Sequence, residues 1–117
     1  MASVLVHLAT GPENPTRAAL ALLVARTAAD EGHDVSVFIA GDGVQLLRPE
    51  TAAATQGVGT GSVEEHLAAL REAGVAIYAS GMSSKARGLD VAAAGAEAAQ
   101  PQKLVELATA ADTTIIY

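Results

Sequence analysis

Short apolar segments alternate along the chain with segments whose apolar residues recur at helical spacing. Ser3–Leu8 and the stretches 35–40, 75–79 and 113–117 are apolar and rich in β-branched residues, which predicts four strands. In the second of them, Val35, Val37 and Ile39 share one face, while Phe38 takes the other. A strand that is apolar on both faces is typical of a parallel sheet covered by helices on both sides.

The segment 15–31 is predicted to form the first helix. Asn14 can cap it and Pro15 can occupy its first position, where the missing N–H has no consequence. Gly32 supplies a left-handed residue that ends the helix. The residues expected to face the core on this pattern are Leu20, Leu23, Val24 and Thr27.

Two capping boxes predict further helix starts. Asp42 with Gln45 favours a short helix through Leu47, and Ser62 with Glu65 favours a helix that ends at Gly74. Between these helices, residues 51–61 contain three glycines and several small side chains. This composition is typical of a mobile loop.

The last third of the chain is less regular. One or two helical turns are predicted over residues 83–87, and a short additional strand over residues 91–94. Pro101 then begins a final helix that leads into the strand 113–117. The inner face expected for this helix consists of Leu104, Leu107, Ala108 and Ala111.

Strands separated by helices predict an α/β fold: a three-layer sandwich with a mostly parallel sheet and helices on both faces. The length of 117 residues matches one ordinary domain, and no stretch reads as a linker. We therefore expect a single domain over residues 1–117.

Composition excludes several functions. The net charge is -6 and only seven residues are Lys or Arg, so a basic face for nucleic acid is not expected. The chain has no cysteine, which removes disulfides, thiolate metal ligands and sulfur nucleophiles. The longest apolar run, residues 18–25, is far short of the ~20 residues of a membrane span, and residues 1–9 lack the basic start of a secretory signal. A cytoplasmic location is the corresponding expectation.

Three loops should meet at the carboxyl edge of the sheet, where ligands of such folds bind. They are residues 10–15, 41–44 and 80–85, and each combines glycine with small polar residues before a helix start. Helix N-termini can bind an anion, although glycine and caps are also needed there for geometry alone. Glu13, Lys85 and Arg87 are the charged candidates at this edge, and solvated surface charge is the alternative for each.

The three histidines do not suggest a metal centre. His7 lies in an apolar strand and is interpreted as a core histidine with one satisfied hydrogen bond, while His33 follows a glycine in a turn and should be solvated. His66 lies in the first turns of a helix beside two glutamates, which indicates an exposed face. We expect no metal and no cofactor.

The motifs on the three loops resemble those of the DsrE/DsrF-like family, which includes YchN-like proteins and the Tus subunits of sulfur relays. The resemblance is carried by residues 4–6 with TGPENPTRA at 10–18, by GDGV at 41–44 and by AIYASGMSSKARGL at 76–89. It runs essentially from end to end. It implies a five-stranded parallel α/β sandwich assembled as a trimer or hexamer.

Sulfur-handling members of that family carry persulfide sulfur on a cysteine just after the third strand. The corresponding position here is Ser80. A hydroxyl cannot hold a persulfide, and it is a poor nucleophile unless a base activates it. Sulfurtransferase activity is therefore not expected of this chain.

Two functions of different classes follow from the resemblance, with a third beside them. The first is a non-catalytic oligomeric protein that binds a small, anionic molecule or a partner at the carboxyl edge. The second is an enzyme with altered chemistry at Ser80, for which His7 is the candidate base. The third is a structural subunit that packs against cysteine-bearing relatives. The residues expected to line the site are Gly11, Glu13, Gly43, Ser80, Gly81, Met82 and Lys85.

Overall fold

The computed structural model describes all residues 1–117 and has the alternating architecture that the sequence predicts. The elements in chain order are β1 (Ser3–Leu8), α1 (Pro15–Asp30), β2 (Asp34–Ile39), a 3-10 helix (Gly41–Leu47), α2 (Pro49–Ala54), β3 (Gln56–Gly57), β4 (Gly61–Ser62), α3 (Val63–Glu72), β5 (Ala76–Ser80), α4 (Gly81–Ala86), β6 (Glu97–Ala99), α5 (Pro101–Ala110) and β7 (Thr113–Ile116).

Five strands form one parallel sheet in the order β6-β5-β2-β1-β7, and helices cover both of its faces. The predicted α/β fold is confirmed. None of the helices combines the length and the apolarity that crossing a membrane requires.

The main core lies between the sheet and helices α1 and α3. Alternate residues of β1 and β2 supply its floor, and α1 packs against α3 above them. The core residues of the two central strands are Val4, Val6, Leu8, Val35, Val37 and Ile39.

The opposite face of the sheet carries Leu5 and Ser36, which line a shallow cavity together with Leu107 of α5. No residue of α5 is buried, so this second layer is only partly covered. Its expected inner residues Leu104, Leu107, Ala108 and Ala111 are half-buried.

The caps of α1 are those predicted, but the face that it buries is not. The Asn14 side chain accepts from the Arg17 N–H, and Gly32 has φ +89°. The buried residues are Ala18, Ala19, Ala21, Leu22 and Ala25. The predicted inner stripe was wrong because small alanine side chains let the helix lie close to its neighbours. Leu20, Leu23 and Val24 are therefore left half-buried, and Thr27 is exposed.

Residues 51–61 form structure where a loop was predicted. Helix α2 covers the first part, and β3 pairs with β4 as an antiparallel hairpin. The hairpin is tied to the start of α1: the Thr16 hydroxyl accepts from the Val58 N–H, and the Thr60 hydroxyl donates to the Thr16 carbonyl. These bonds join residues more than forty positions apart, which local composition does not reveal.

His66 is a second correction, because it is buried and not exposed. Only 5% of its surface is accessible. Its Nε2 lies 2.7 Å from the Thr60 carbonyl oxygen, and its Nδ1 lies 3.4 Å from an Arg26 nitrogen. His66 thus joins α3 to the hairpin and to α1. The Ser62 cap beside it is as predicted, with the hydroxyl accepting from the Glu65 N–H.

The fourth strand lies later than predicted. Residues 91–94 form turns, and the strand that pairs with β5 is Glu97–Ala99. Val91 is buried in the core, so its apolar character reflects packing of a turn. The short helix predicted after β2 exists as a 3-10 helix, but Asp42 does not cap it.

Candidate functional site

The three loops predicted to carry the site do meet at the carboxyl edge of the sheet. The loop after β1 lies against the 3-10 helix, which in turn contacts α4 after β5. The Gly41 N–H donates to the Ser83 hydroxyl at 2.9 Å. Arg87 and Asp42 form an ion pair at 3.0 Å, and the carboxylate that was expected to cap a helix is used in this pair instead. The loop after β1, the 3-10 helix and α4 are therefore joined to one another by close packing, a hydrogen bond and an ion pair.

Gly11 and Gly43 are glycines because backbone passes close to them. A Cβ built on Gly11 would lie 2.2 Å from the Asp42 carbonyl oxygen, and one on Gly43 would lie 2.8 Å from the Leu8 carbonyl oxygen. Real Cβ atoms do not approach backbone this closely. Both positions are thus explained by the packing of the edge loops on one another.

Glu13 folds back onto its own loop. Its two carboxylate oxygens accept from the Gly11 N–H at 3.0 and 3.1 Å. The N–H that a bound anion would use at this loop therefore already has an anionic partner within the chain.

Ser80 lies at the end of β5 and caps α4. Its hydroxyl accepts from the Ser83 N–H at 3.1 Å, and no His, Asp, Glu or Lys side chain is hydrogen-bonded to it. His7 is two strands away: it pairs across β1 and β2 with Phe38, which pairs in turn with Tyr78 of β5. The structure does not bring the candidate base to the candidate nucleophile.

The remaining predicted residues lie on α4. Gly81 begins the helix, and a Cβ there would make ordinary contact with the Ala99 carbonyl oxygen at 3.7 Å. Met82 is a large apolar side chain that is 66% exposed. Lys85 is exposed and forms no ion pair. Met82 and Lys85 are thus two edge side chains free to contact another molecule.

A row of rings crosses the other face of the sheet below this edge. The His7 and Phe38 rings meet edge to face with centroids 5.9 Å apart, and Phe38 stacks on Tyr78 at 6.5 Å. The Lys103 ammonium lies 5.2 Å from the centre of the Tyr78 ring. Sequence reasoning missed this row, although the strand register places its members side by side.

Within this row His7 is half-buried, and its Nε2 has no hydrogen-bond partner. Burial lowers the pKa of His7 because the charged imidazolium loses hydration there. The interpretation as a core histidine agrees with this placement, but the second half of that interpretation, a satisfied ring, does not.

The lowered pKa of His7 predicts a pH dependence of stability. Below about pH 6.5 His7 binds a proton in the unfolded chain more readily than in the folded chain, where its pKa is lowered. Protonation therefore favours the unfolded state, and the free energy of unfolding falls as the pH falls. His7→Phe keeps a ring and removes this contribution. Urea unfolding between pH 7 and pH 5 should therefore show a shallower decline in the variant. Parallel curves for the two proteins would refute the assignment.

No group of three or more His, Cys, Asp or Glu side chains is arranged to hold a metal ion.

His33 was expected to be solvated, but it is half-buried. Its Nδ1 accepts from the Ala2 N–H at 3.0 Å, and this hydrogen bond fixes the start of β1.

Comparison with known proteins gives one consistent result. The DsrE/DsrF-like family profile matches residues 2–117. No curated protein sequence matches the chain. Solved structures do, at low identity, and at such identities the likeness shows the fold alone.

Three of these structures cover nearly the whole chain. The YchN protein from E. coli matches with a TM-score of 0.77 at 17% identity, covering 100% of both chains. A protein of unknown function from Methanobacterium thermoautotrophicum matches with a TM-score of 0.75 at 20% identity, also covering 100% of both. One from Bacteroides thetaiotaomicron matches at 0.72 and 13% identity, covering 97% of this chain and 94% of its own. With the profile covering almost every residue, the chain belongs to the DsrE/DsrF-like family.

Proposed function

We propose that this chain is a non-catalytic DsrE/DsrF-like subunit that associates with copies of itself through the carboxyl edge of its sheet. The observation that carries the proposal is the hydrogen bonding of the Ser80 hydroxyl. At the position where the family resemblance expects a sulfur-bearing cysteine, the hydroxyl serves as a helix cap and has no base bonded to it. The capping bond stabilises the start of α4, and a hydroxyl without a base to take its proton is a poor nucleophile.

The hydrogen bonds within the edge favour a protein partner over a small anion. The N–H groups of Gly11, Gly41 and Ser83 already donate to Glu13, Ser83 and Ser80 side chains respectively. A small anion that used these N–H groups would first have to displace one of these acceptors. A partner that contacts exposed side chains disturbs none of them.

The exposed apolar surface of the chain supports self-association. Met82 stands out from α4 at the edge, and Val105 of α5 is also largely exposed. Because α5 buries no residue, one face of the sheet lacks a complete covering layer. Of these side chains Met82 lies at the carboxyl edge, and burying it against another copy favours association there.

The enzymatic alternative has less support from the geometry. It requires a base at the Ser80 hydroxyl, and Phe38 of β2 stands between β5 and the strand that carries His7. Packing against a cysteine-bearing relative remains compatible with the same exposed edge, and such a relative would replace one copy of the chain in the assembly.

Light scattering on the wild-type chain tests the proposal. At micromolar concentration we expect a mass that is a multiple of the 11.7 kDa of one chain, namely a trimer or a hexamer as the family resemblance implies. Dilution should shift the mass downward if the association is reversible. A monomer at all concentrations up to hundreds of micromolar would overturn the self-association.

A further inference from the structure

A cavity of about 410 Å³ opens on the opposite side of the molecule from the ring row. It lies between α2, α3 and the turns that follow α4. This volume is within the range of pockets that hold small organic molecules. The residues that line it are Leu47, Pro49, Ala52, Glu64, Leu67, Arg71, Ala93, Ala94 and Gly95.

The wall of the cavity toward the core is apolar. Leu47, Ala52 and Leu67 are buried members of the main hydrophobic cluster, and the side chains of Ala93 and Ala94 add small apolar groups from the turn. An aliphatic group placed here would leave water for a surface that is more apolar than polar. The cavity therefore favours a ligand with an apolar body.

Arg71 provides a positive charge at one end of the cavity. Its guanidinium donates to the Ala94 carbonyl at 2.9 Å and lies close to Gly95, where a Cβ would be only 3.4 Å from the guanidinium nitrogens. No carboxylate lies within ion-pair distance of Arg71; the ion pairs of the chain are His33 with Glu31 and Arg87 with Asp42. The neutral Ala94 carbonyl oxygen therefore holds the guanidinium in place, and its positive charge has no partner in the chain.

Glu64 marks the other end. It precedes Arg71 by seven positions on α3, which corresponds to about 10.5 Å along a helix. A ligand carboxylate is repelled at the Glu64 end and attracted at the Arg71 end. The charges at the two ends would therefore orient a bound carboxylate toward Arg71, beside the apolar wall.

We propose that this cavity binds a short aliphatic monocarboxylate, with the carboxylate on Arg71 and the hydrocarbon against Leu47 and Leu67. The planar fork of a guanidinium matches a carboxylate and can form charge-assisted hydrogen bonds with it. The site is separate from the carboxyl edge and does not depend on the function proposed for that edge.

Hexanoate is the probe for this site, followed by amide chemical shifts in NMR. Millimolar hexanoate should shift the amides of residues 93–95 and of the Leu67–Arg71 turn of α3. Arg71→Gln should weaken binding about tenfold, which corresponds to about 1.4 kcal/mol, because it removes the charge that pairs with the carboxylate. Arg17→Gln, at an exposed arginine of α1 away from the cavity, should bind like wild type.

Two further measurements keep the result unambiguous. Pentylamine has the same five-carbon chain with the opposite charge, and it should bind more weakly than hexanoate, as should hexylamine. Ala93→Phe should block the cavity from its exposed rim and abolish the shifts. No shifts with hexanoate, equal binding by Arg71→Gln, equal binding of hexylamine, or shifts centred on another surface would each overturn the proposal.

Discussion

Gly11→Ala is expected to lower the free energy of unfolding by at least about 2 kcal/mol. The new methyl group would lie 2.2 Å from the Asp42 carbonyl oxygen and 2.7 Å from the Asp42 carbonyl carbon. Neither atom is the end of a flexible side chain, so the loop after β1 and the 3-10 helix must move apart. That movement also strains the Asp42–Arg87 pair and the Gly41–Ser83 hydrogen bond, which join the displaced 3-10 helix to α4 and to the residue that follows it.

Gly81→Ala is the matched control, since it adds the same methyl group at the same edge of the sheet. Its Cβ would have 3.7 Å to the nearest atom, and alanine is the better residue inside a helix. We expect unchanged or slightly higher stability in this variant. Thermal or urea unfolding of both proteins makes the comparison, and equal stability of the two would show that the edge loops are not locked as described.

Signals carried by neighbouring residues predicted the fold well. Asn14 and Pro15 fix where α1 begins, Gly32 fixes where it ends, and Ser62 fixes the start of α3. Each of these acts within a few positions of the chain, so the sequence shows both partners at once. The order of strands and helices follows from such signals together with the apolar spacing.

The errors occurred where a partner comes from far along the chain. Asp42 fits a local capping box but pairs with Arg87, 45 positions away. His66 reads as a surface residue beside glutamates, yet the hairpin and Arg26 of α1 enclose it. The face of α1 was wrong for a related reason: Leu20 and Leu23 are more apolar than Ala18 and Ala21, but close packing against the sheet selects the smaller side chains.

The meeting of three loops at one edge of the sheet was predicted, but the hydrogen bonds that join and occupy those loops were not. Loop composition correctly indicated that residues after β1, β2 and β5 meet at one edge. It did not reveal that Glu13, Ser80 and Ser83 accept from N–H groups there. One of these bonds, between Gly41 and Ser83, joins residues 42 positions apart, which local composition does not show. The cavity at Arg71 gave no motif at all, because three separate elements form it.

Met82→Glu is expected to weaken self-association at least about a hundredfold, which corresponds to about 2.7 kcal/mol. In the proposed assembly the Met82 side chain leaves water against another copy, and a carboxylate in its place would be buried without a partner. The single chain should fold normally, because the residue is exposed there. Its unfolding curve under dissociating conditions should therefore match that of the wild type.

Val58→Glu is the control for this variant, since Val58 is 86% exposed but lies on the β3–β4 hairpin and not on α4. The decisive measurement is light scattering of wild type, Met82→Glu and Val58→Glu over one concentration series. The proposed function predicts that wild type and Val58→Glu form the same assembly. The mass of Met82→Glu should instead be close to that of one chain. An unchanged assembly of Met82→Glu would contradict the proposal that the carboxyl edge is the contact surface.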